Sequence, residues 1–261
     1  MRVTAADGTT AEAVDEGAGT PILVIHGGMG DSTAWSRVAD RLKNRFRTVR
    51  LHRRQYRLDL PPPITMAAEV QHVAAIAAEL GRPVLVGHSS GGVLTLESLA
   101  ADPDAYAGAV LYEPPVVIGE PLGGERLAPA RAALAKGKPG KALTLFMRDV
   151  ARMSPTAAAL AGFIVGHSPY RDRVARQLDD NDAIDALGVR LPAYAKLDLP
   201  ILLIEGDKSP AHLRERLHAL EGVLPQTRRL VMHGQGHNAE RRAPQRLADA
   251  IAAFVDQVAK R

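Results

Sequence analysis

Cysteine is absent from this chain of 261 residues, and aromatic residues make up only 4% of it. Without a thiol, a disulfide framework, a thiolate metal site and a cysteine nucleophile are all excluded. No apolar run approaches the length of a membrane span, and the first residues lack the basic-then-apolar order of a secretory signal. We therefore expect a cytoplasmic protein that does not insert into a membrane.

A large charge of one sign is also missing. The formal net charge is only +4, whereas a nucleic-acid-binding face usually needs a larger basic excess, so no nucleic-acid partner is expected. The dense basic segment at residues 53–57 (RRQYR) is open to two interpretations. It lines the mouth of a pocket and attracts an anionic substrate, or it is a solvated basic loop. Nothing in the sequence specifies an oligomeric state.

The order of apolar runs and turn signals predicts the fold. The dipeptide Asp7-Gly8 predicts an edge hairpin between two short extended stretches. Further strands are predicted at the apolar runs 21–25, 46–51, 83–86, 107–112, 200–204 and 229–232. Helices are predicted over 66–80, 91–101, 212–220 and 244–258, and from a cap at Asp31 or Ser32 to residue 42. This alternation predicts an α/β fold with a mostly parallel, eight-stranded sheet covered by helices on both faces.

The alternation stops between residues 115 and 198. This segment is rich in alanine, contains no obvious strand and is typical of several helices, including ones near 141–153 and 171–179. We interpret it as a helical cap inserted after the sixth strand of a single domain that spans 1–261. The large apolar side chains of the cap form a substrate wall or pack the core of the cap itself. They are Phe146, Met147, Met153 and Phe163.

A serine flanked by glycines follows the strand predicted at 83–86. Residues 87–92 read GHSSGG and precede a helical stretch. A tight strand-to-helix turn holds its central residue in a strained conformation, and side chains at Gly87 and Gly91 would clash there. The pattern predicts an exposed, nucleophilic hydroxyl on Ser89. Because a helix N-terminus favours negative charge, the backbone amide of Ser90 is predicted to donate to a substrate oxyanion.

Three segments carry a resemblance to a known family. They are residues 26–30 (HGGMG), 87–91 (GHSSG) and 234–237 (GQGH). With them the chain resembles the α/β-hydrolase family from its first hairpin to its last helix, least clearly in the cap. The resemblance implies that His237 is the general base and that Gly28 or Met29 supplies the second oxyanion amide.

The third member of the implied triad is not marked by the usual pattern. The family most often has an aspartate three residues after the glycine that ends the seventh strand, and here Gly206 is followed at that spacing by Ser209. Two acids are left as candidates, Glu113 after the sixth strand and Asp207 after the seventh. We favour Glu113, because some relatives carry the acid on that strand and a glutamate reaches further. A structural carboxylate that holds the cap is the alternative role for Glu113.

The resemblance implies a reaction on a small acyl substrate. Dehalogenases and epoxide hydrolases of this fold use an aspartate nucleophile, so Ser89 indicates hydrolysis of a carboxylic ester, thioester or lactone through an acyl-enzyme. No metal or other cofactor is expected. Carbon–carbon cleavage, elimination or cyclisation on the same residues remains an alternative, as does a non-catalytic ligand-binding relative. The other histidines, His26 and His212 among them, are expected to have packing or surface roles, and His233 is the weaker candidate for the base.

Overall fold

A computed structural model describes residues 1–63 and 65–260. Its strands form one eight-stranded sheet in the order β1-β2-β4-β3-β5-β6-β7-β8. The strands are β1 (Arg2–Thr4), β2 (Thr10–Glu16), β3 (Pro21–Ile25), β4 (Arg47–His52), β5 (Val84–His88), β6 (Gly108–Tyr112), β7 (Ile201–Gly206) and β8 (Thr227–Met232). Strand β2 pairs antiparallel with β1 and β4, and all other neighbours are parallel. The predicted fold class is confirmed.

Helices join most of the parallel strands. They are α1 (Ser36–Leu42), α2 (Met66–Leu80), α3 (Ser90–Ala101), α4 (Ala128–Ala135), α5 (Pro139–Asp149), α6 (Pro155–Gly166), α7 (Arg173–Leu187), α8 (Leu191–Tyr194), α9 (Ala211–Glu221), α10 (Ala239–Arg242) and α11 (Pro244–Val258). Over the described part of the chain, no helix is long and apolar enough to cross a membrane. The prediction that α1 begins at Asp31 or Ser32 is wrong, because the carboxylate of Asp31 accepts the amide and hydroxyl of Thr33 and closes a turn instead.

Both faces of the sheet are buried, as the continuous apolar strands require. On β3, Leu23 and Ile25 face one hydrophobic cluster, while Ile22 and Val24 face the other, because successive side chains on a strand point to opposite faces. The first cluster includes residues of α2, α3 and the segment between β6 and β7. The second is built from α1 and α11. The sheet is therefore a rigid central layer that fixes where its strands end.

Helices α4 to α8 all lie between β6 and β7, in the region predicted as a cap. Phe146 is buried in the first cluster and Met147 packs against it, so both help to hold this segment to the sheet. Phe163 on α6 is 65% exposed and takes no part in that packing.

Candidate active site

The predicted site residues lie at the carboxyl ends of neighbouring parallel strands. From β3 the chain first adds β4 on one side of the sheet and later β5 on the other, so the loops after β3 and β5 diverge and leave a crevice between them. Ligands of open α/β sheets bind in such a crevice. The loop after β3 contains Gly28 and Met29, and the turn after β5 contains Ser89 and Ser90.

Ser89 has the strained backbone that the glycine pattern predicts. Its φ is +52° and its ψ is −128°, and its amide donates to the carbonyl of Tyr112 at 2.9 Å. A Cβ at Gly87 would lie 2.2 Å from Oγ1 of Thr95, and one at Gly91 would lie 2.3 Å from the carbonyl oxygen of His26. Side chains at these two positions are thus excluded, and the turn presents the partly exposed Ser89 at the edge of the sheet.

Three backbone amides near Ser89 have no acceptor. The loop after β3 lies directly against the serine, since a Cβ at Gly27 would be 3.0 Å from Cβ of Ser89. Among the residues that the structure describes, none accepts a hydrogen bond from the amides of Gly28, Met29 or Ser90. Met29 has a φ of +60°, which is unusual for a residue with a side chain. These unpaired donors, one at the N-terminus of α3, can stabilise negative charge on a substrate oxygen.

Glu113 and His237 are in direct contact. Nδ1 of His237 lies 2.5 Å from Oε2 of Glu113. A carboxylate only accepts hydrogen bonds, so Nδ1 carries the proton and Nε2 is left as an acceptor. Glu113 is fully buried, and it also accepts the amide of Gly206 at 2.7 Å and the hydroxyl of Ser209 at 2.9 Å. Three donors therefore hold the carboxylate, which in turn orients the imidazole.

The other candidate acid, Asp207, lies away from this contact. Its carboxylate accepts the amide of Gly234 at 2.8 Å and lies 3.3 Å from Nδ1 of His233. Asp207 and His233 thus form a separate pair on the surface. Ser209, the unusual residue at the position of the common aspartate, donates to Glu113 instead of contacting His237 itself.

Two residues that the sequence did not indicate hold the loop of His237. The hydroxyl of Tyr112 donates to the carbonyl of Gly236 and accepts the amide of Ala239. Nε2 of His88 donates to the carbonyl of His237 at 2.9 Å, and the two rings are 4.8 Å apart. Burial lowers the pKa of His88 well below its ordinary value and the neighbouring His237 lowers it further, so His88 is a neutral support.

Ser89 follows His88 directly, and the ring of His88 lies 4.8 Å from that of His237, so the turn that carries the serine lies beside the loop of the imidazole. No hydrogen bond joins Oγ of Ser89 to Nε2 of His237 in this structure. Such contacts often tighten only when substrate binds.

His26 has the packing role expected of it. Its Nε2 accepts the amide of Arg53 at 3.2 Å, and its Nδ1 donates to the carbonyl of Gly27 at 2.8 Å. Burial and the charge of Arg53 lower the pKa of His26 to about 3. The ring is therefore neutral at physiological pH and holds the loop after β3.

Neither interpretation of the basic segment 53–57 holds for Arg53. Its side chain is fully buried and binds Glu69 with two hydrogen bonds, of 2.5 and 3.0 Å. It also donates to Asp180 of α7 at 2.9 Å and to the hydroxyl of Ser90 at 2.8 Å. Arg53 thus ties the cap to the turn that carries the serine. Sequence analysis missed this role because both carboxylates are far from Arg53 along the chain.

Arg54 and Arg57 are paired as well, with Asp7 and Asp59 respectively. Within residues 1–63 and 65–260, no group of three or more histidine or carboxylate side chains is arranged to hold a metal ion.

Comparison with known proteins identifies the family of the chain. A model of the alpha/beta hydrolase family matches residues 22–250. The chain is 25% identical to 2-(acetamidomethylene)succinate hydrolase of Mesorhizobium japonicum, over 93% of this chain and 90% of that protein. In fold it is similar to an alpha/beta hydrolase from Sphaerobacter thermophilus, with a TM-score of 0.83, 24% identity and coverage of 97% and 99% of the two chains. An esterase from Thermogutta terrifontis aligns with a TM-score of 0.77, 22% identity and coverage of 99% and 98%. The chain belongs to the alpha/beta hydrolase family.

Proposed function

We propose that this hydrolase cleaves a carboxylic ester, thioester or lactone through an acyl-enzyme on Ser89. The observation that carries the proposal is the 2.5 Å contact between Glu113 and Nδ1 of His237. That contact fixes the imidazole as the tautomer whose Nε2 accepts a proton, beside a serine held in the strained turn. The relatives support the proposal at a coarser level, since one is named an esterase and another a hydrolase of a substituted succinate.

The reaction has two halves. Ser89 attacks the substrate carbonyl while Nε2 of His237 takes the hydroxyl proton, and the amides of Ser90 and of Gly28 or Met29 bind the oxyanion. His237 then gives the proton to the leaving alkoxide or thiolate, and an ester is left on Ser89. The protonated group departs from an ester or thioester, whereas in a lactone it stays attached to the acyl chain as a hydroxyl. In the second half, His237 takes a proton from water, the hydroxide attacks the acyl-enzyme, and the acid is released as the serine regains its proton. Glu113 stabilises the imidazolium in both halves without accepting the proton.

Labelling with a fluorophosphonate probe tests the nucleophile. We expect the wild-type protein to be labelled and to hydrolyse short p-nitrophenyl esters. The Ser89→Ala variant should lose labelling and lose several orders of magnitude in turnover. Ser98→Ala is a matched control, because Ser98 lies on α3, the helix that follows Ser89, and its hydroxyl donates to the carbonyl of Leu94. Undiminished labelling of Ser89→Ala, or wild-type protein that neither reacts with the probe nor cleaves any ester, thioester or lactone, would refute the proposal.

An experiment with the natural substrate distinguishes hydrolysis through an acyl-enzyme from carbon–carbon cleavage. Carbon–carbon cleavage on the same residues is the alternative for which a meta-cleavage product hydrolase of similar fold gives a precedent. Trapping of an acyl group on Ser89 supports the proposal, and release of product without such an adduct supports the alternative. The non-catalytic interpretation depended on Ser209, and the hydrogen bond from Ser209 to Glu113 gives that serine a supporting role instead.

A further inference from the structure

Arg216 on α9 is a buried cation without a carboxylate partner. Arg216 is 6% exposed, and among the described residues no aspartate or glutamate forms an ion pair with it. Nη1 donates to the carbonyl of His212 at 2.8 Å, whereas Nε is enclosed and has no acceptor. Nη2 has no acceptor among the described residues either, but it is not enclosed. It is therefore open to a ligand.

Another buried arginine, Arg53, does have carboxylate partners. Arg53 is buried more completely than Arg216, and two carboxylates neutralise it. Burial of a guanidinium without such a partner is strongly unfavourable, and a natural sequence retains the arrangement only where something compensates for it. Burial lowers the pKa of Arg216 and the charge of Arg152 lowers it further, but an arginine stays protonated at neutral pH.

The groups around Arg216 add positive charge. Arg152, in the loop between α5 and α6, and Arg126 both act on it electrostatically, and neither has an ion-pair partner in the described residues. The acidic groups that act on it are Glu215 and Asp185. The carboxylate of Asp185 already accepts three backbone amides and one asparagine side chain, so its hydrogen-bonding capacity is taken up. Among the described residues, the surroundings of Arg216 are thus electropositive, with no carboxylate paired to it.

Arg216 is linked to the proposed catalytic residues through the start of its own helix. Helix α9 begins shortly after Ser209, whose hydroxyl contacts Glu113. Arg216 and His237 both act electrostatically on His212, which lies in the first turn of α9. Burial, together with these interactions, lowers the pKa of His212 to about 4. The expectation that His212 is an ordinary surface or packing residue is therefore incomplete, since its buried Nδ1 also has no partner. Arg216 lies one turn, about 6 Å, further along the helix.

We propose that Arg216, with Arg152 on the side of the cap, binds a carboxylate of the substrate. The substrate is then an ester, thioester or lactone that carries a second, anionic group a few bonds from the reacting carbonyl. A guanidinium matches the two oxygens of a carboxylate, and the ion pair would supply the counter-charge that the protein leaves out. This inference rests on the proposed function.

The test compares two esters of equal length, the mono-p-nitrophenyl ester of adipate and p-nitrophenyl heptanoate. We expect kcat/KM of the wild type to favour the anionic ester. Arg216→Gln should lower that preference about 10- to 100-fold, mainly through KM, because one charge-assisted interaction is lost. Arg152→Gln should lower it less. Arg214→Gln is the matched control, since Arg214 is on the same helix but pairs with Glu205 at 2.6 Å, and it should keep the preference.

Two further measurements separate this inference from the proposed function. Calorimetry with adipate on the Ser89→Ala variant reports anion binding without turnover, and adding Arg216→Gln should weaken that binding at least about tenfold. Without ligand, Arg216→Met should unfold at the same temperature as the wild type or higher, because an unpaired buried charge has been removed. Equal kcat/KM for the two esters, with no adipate binding, would overturn the anion site even if Ser89 is labelled. A lower unfolding temperature with an unchanged ester preference would make Arg216 structural and would also overturn it.

Discussion

Replacement of Glu113 by glutamine is a sharp test of the site, because the structure dictates how the new amide must be placed. Oε1 accepts the backbone N–H of Gly206 at 2.7 Å, a donor that cannot be reversed, so the amide oxygen has to take this position. The amide nitrogen then faces the hydroxyl of Ser209 and Nδ1 of His237. The hydroxyl can rotate and accept. The imidazole has to give up its Nδ1 proton and carry the proton on Nε2 instead.

The wrong tautomer should cost most of the activity. With a proton on Nε2, His237 cannot accept one from Ser89, and a comparable change in the serine protease triad lowers kcat about 10⁴-fold. This corresponds to about 5 kcal/mol in the activation barrier. The effect on folding should be smaller, because the side chain keeps its shape. Weakening of the bonds to the carboxylate is expected to lower the free energy of unfolding by about 1–3 kcal/mol.

The assay is kcat for a short p-nitrophenyl ester, with circular dichroism as the check on folding. Asp207→Asn serves as the control, because Asp207 contacts Gly234 and His233 but not His237. It should stay within about threefold of the wild type, as its loss reaches no group in the proposed mechanism. If Glu113→Gln kept kcat within a factor of about ten while Asp207→Asn lost most of it, the assignment of the acid would be refuted.

Further predictions concern stability and the support of Glu113. Arg53→Met should lower the free energy of unfolding, measured in urea, by about 3–5 kcal/mol, because it leaves two buried carboxylates without a cation. A loss below about 1 kcal/mol would contradict this prediction. His26 has a pKa of about 3 in the folded protein against 6.5 for the free side chain. Between these values only the unfolded chain binds the proton, so His26 alone should cost about 2 kcal/mol of stability at pH 5 relative to neutral pH. His26→Asn should reduce the measured loss by that amount. Ser209→Asp should lower kcat rather than raise it, because a second carboxylate beside the buried Glu113 would force one of the two to bind a proton.

The elements predicted best are those whose ends are marked locally. Helix α2 was predicted with its observed bounds, because the hydroxyl of Thr65 caps it by accepting the amide of Ala68 and Gly81 ends it with a φ of +62°. Helix α1 was extended too far towards its N-terminus. Asp31 is a good capping residue, but its side chain forms a turn with Thr33, and the helix starts only after the buried Trp35.

The choice between two acids shows where sequence reasoning becomes uncertain. Glu113 and Asp207 both lie at the carboxyl ends of parallel strands, so chain order alone does not distinguish them. The positions of the loops after β7 and β8 decide the pairing: His237 contacts Glu113, and His233 contacts Asp207. A Cβ at Gly206 would lie 2.6 Å from the carbonyl of Gln235, so the glycine permits the close approach of the two loops. No periodicity or spacing contains that information.

Local rules were enough for the sheet and for the turn at Ser89, because a strand buried on both faces appears as a continuous apolar run and a strained turn requires glycines beside it. The charges of the arginines could not be interpreted in this way. Arg53 is part of a basic segment that the sequence predicts to be exposed, yet it is neutralised in the interior. Arg216 belongs to no sequence motif, and it is buried without a carboxylate partner in the described part of the chain. A charge is paired or unpaired according to its neighbours in space, and for Arg53 one of them, Asp180, is 127 positions away in the chain. Packing of the cap against the sheet therefore decides which cations are available to a ligand.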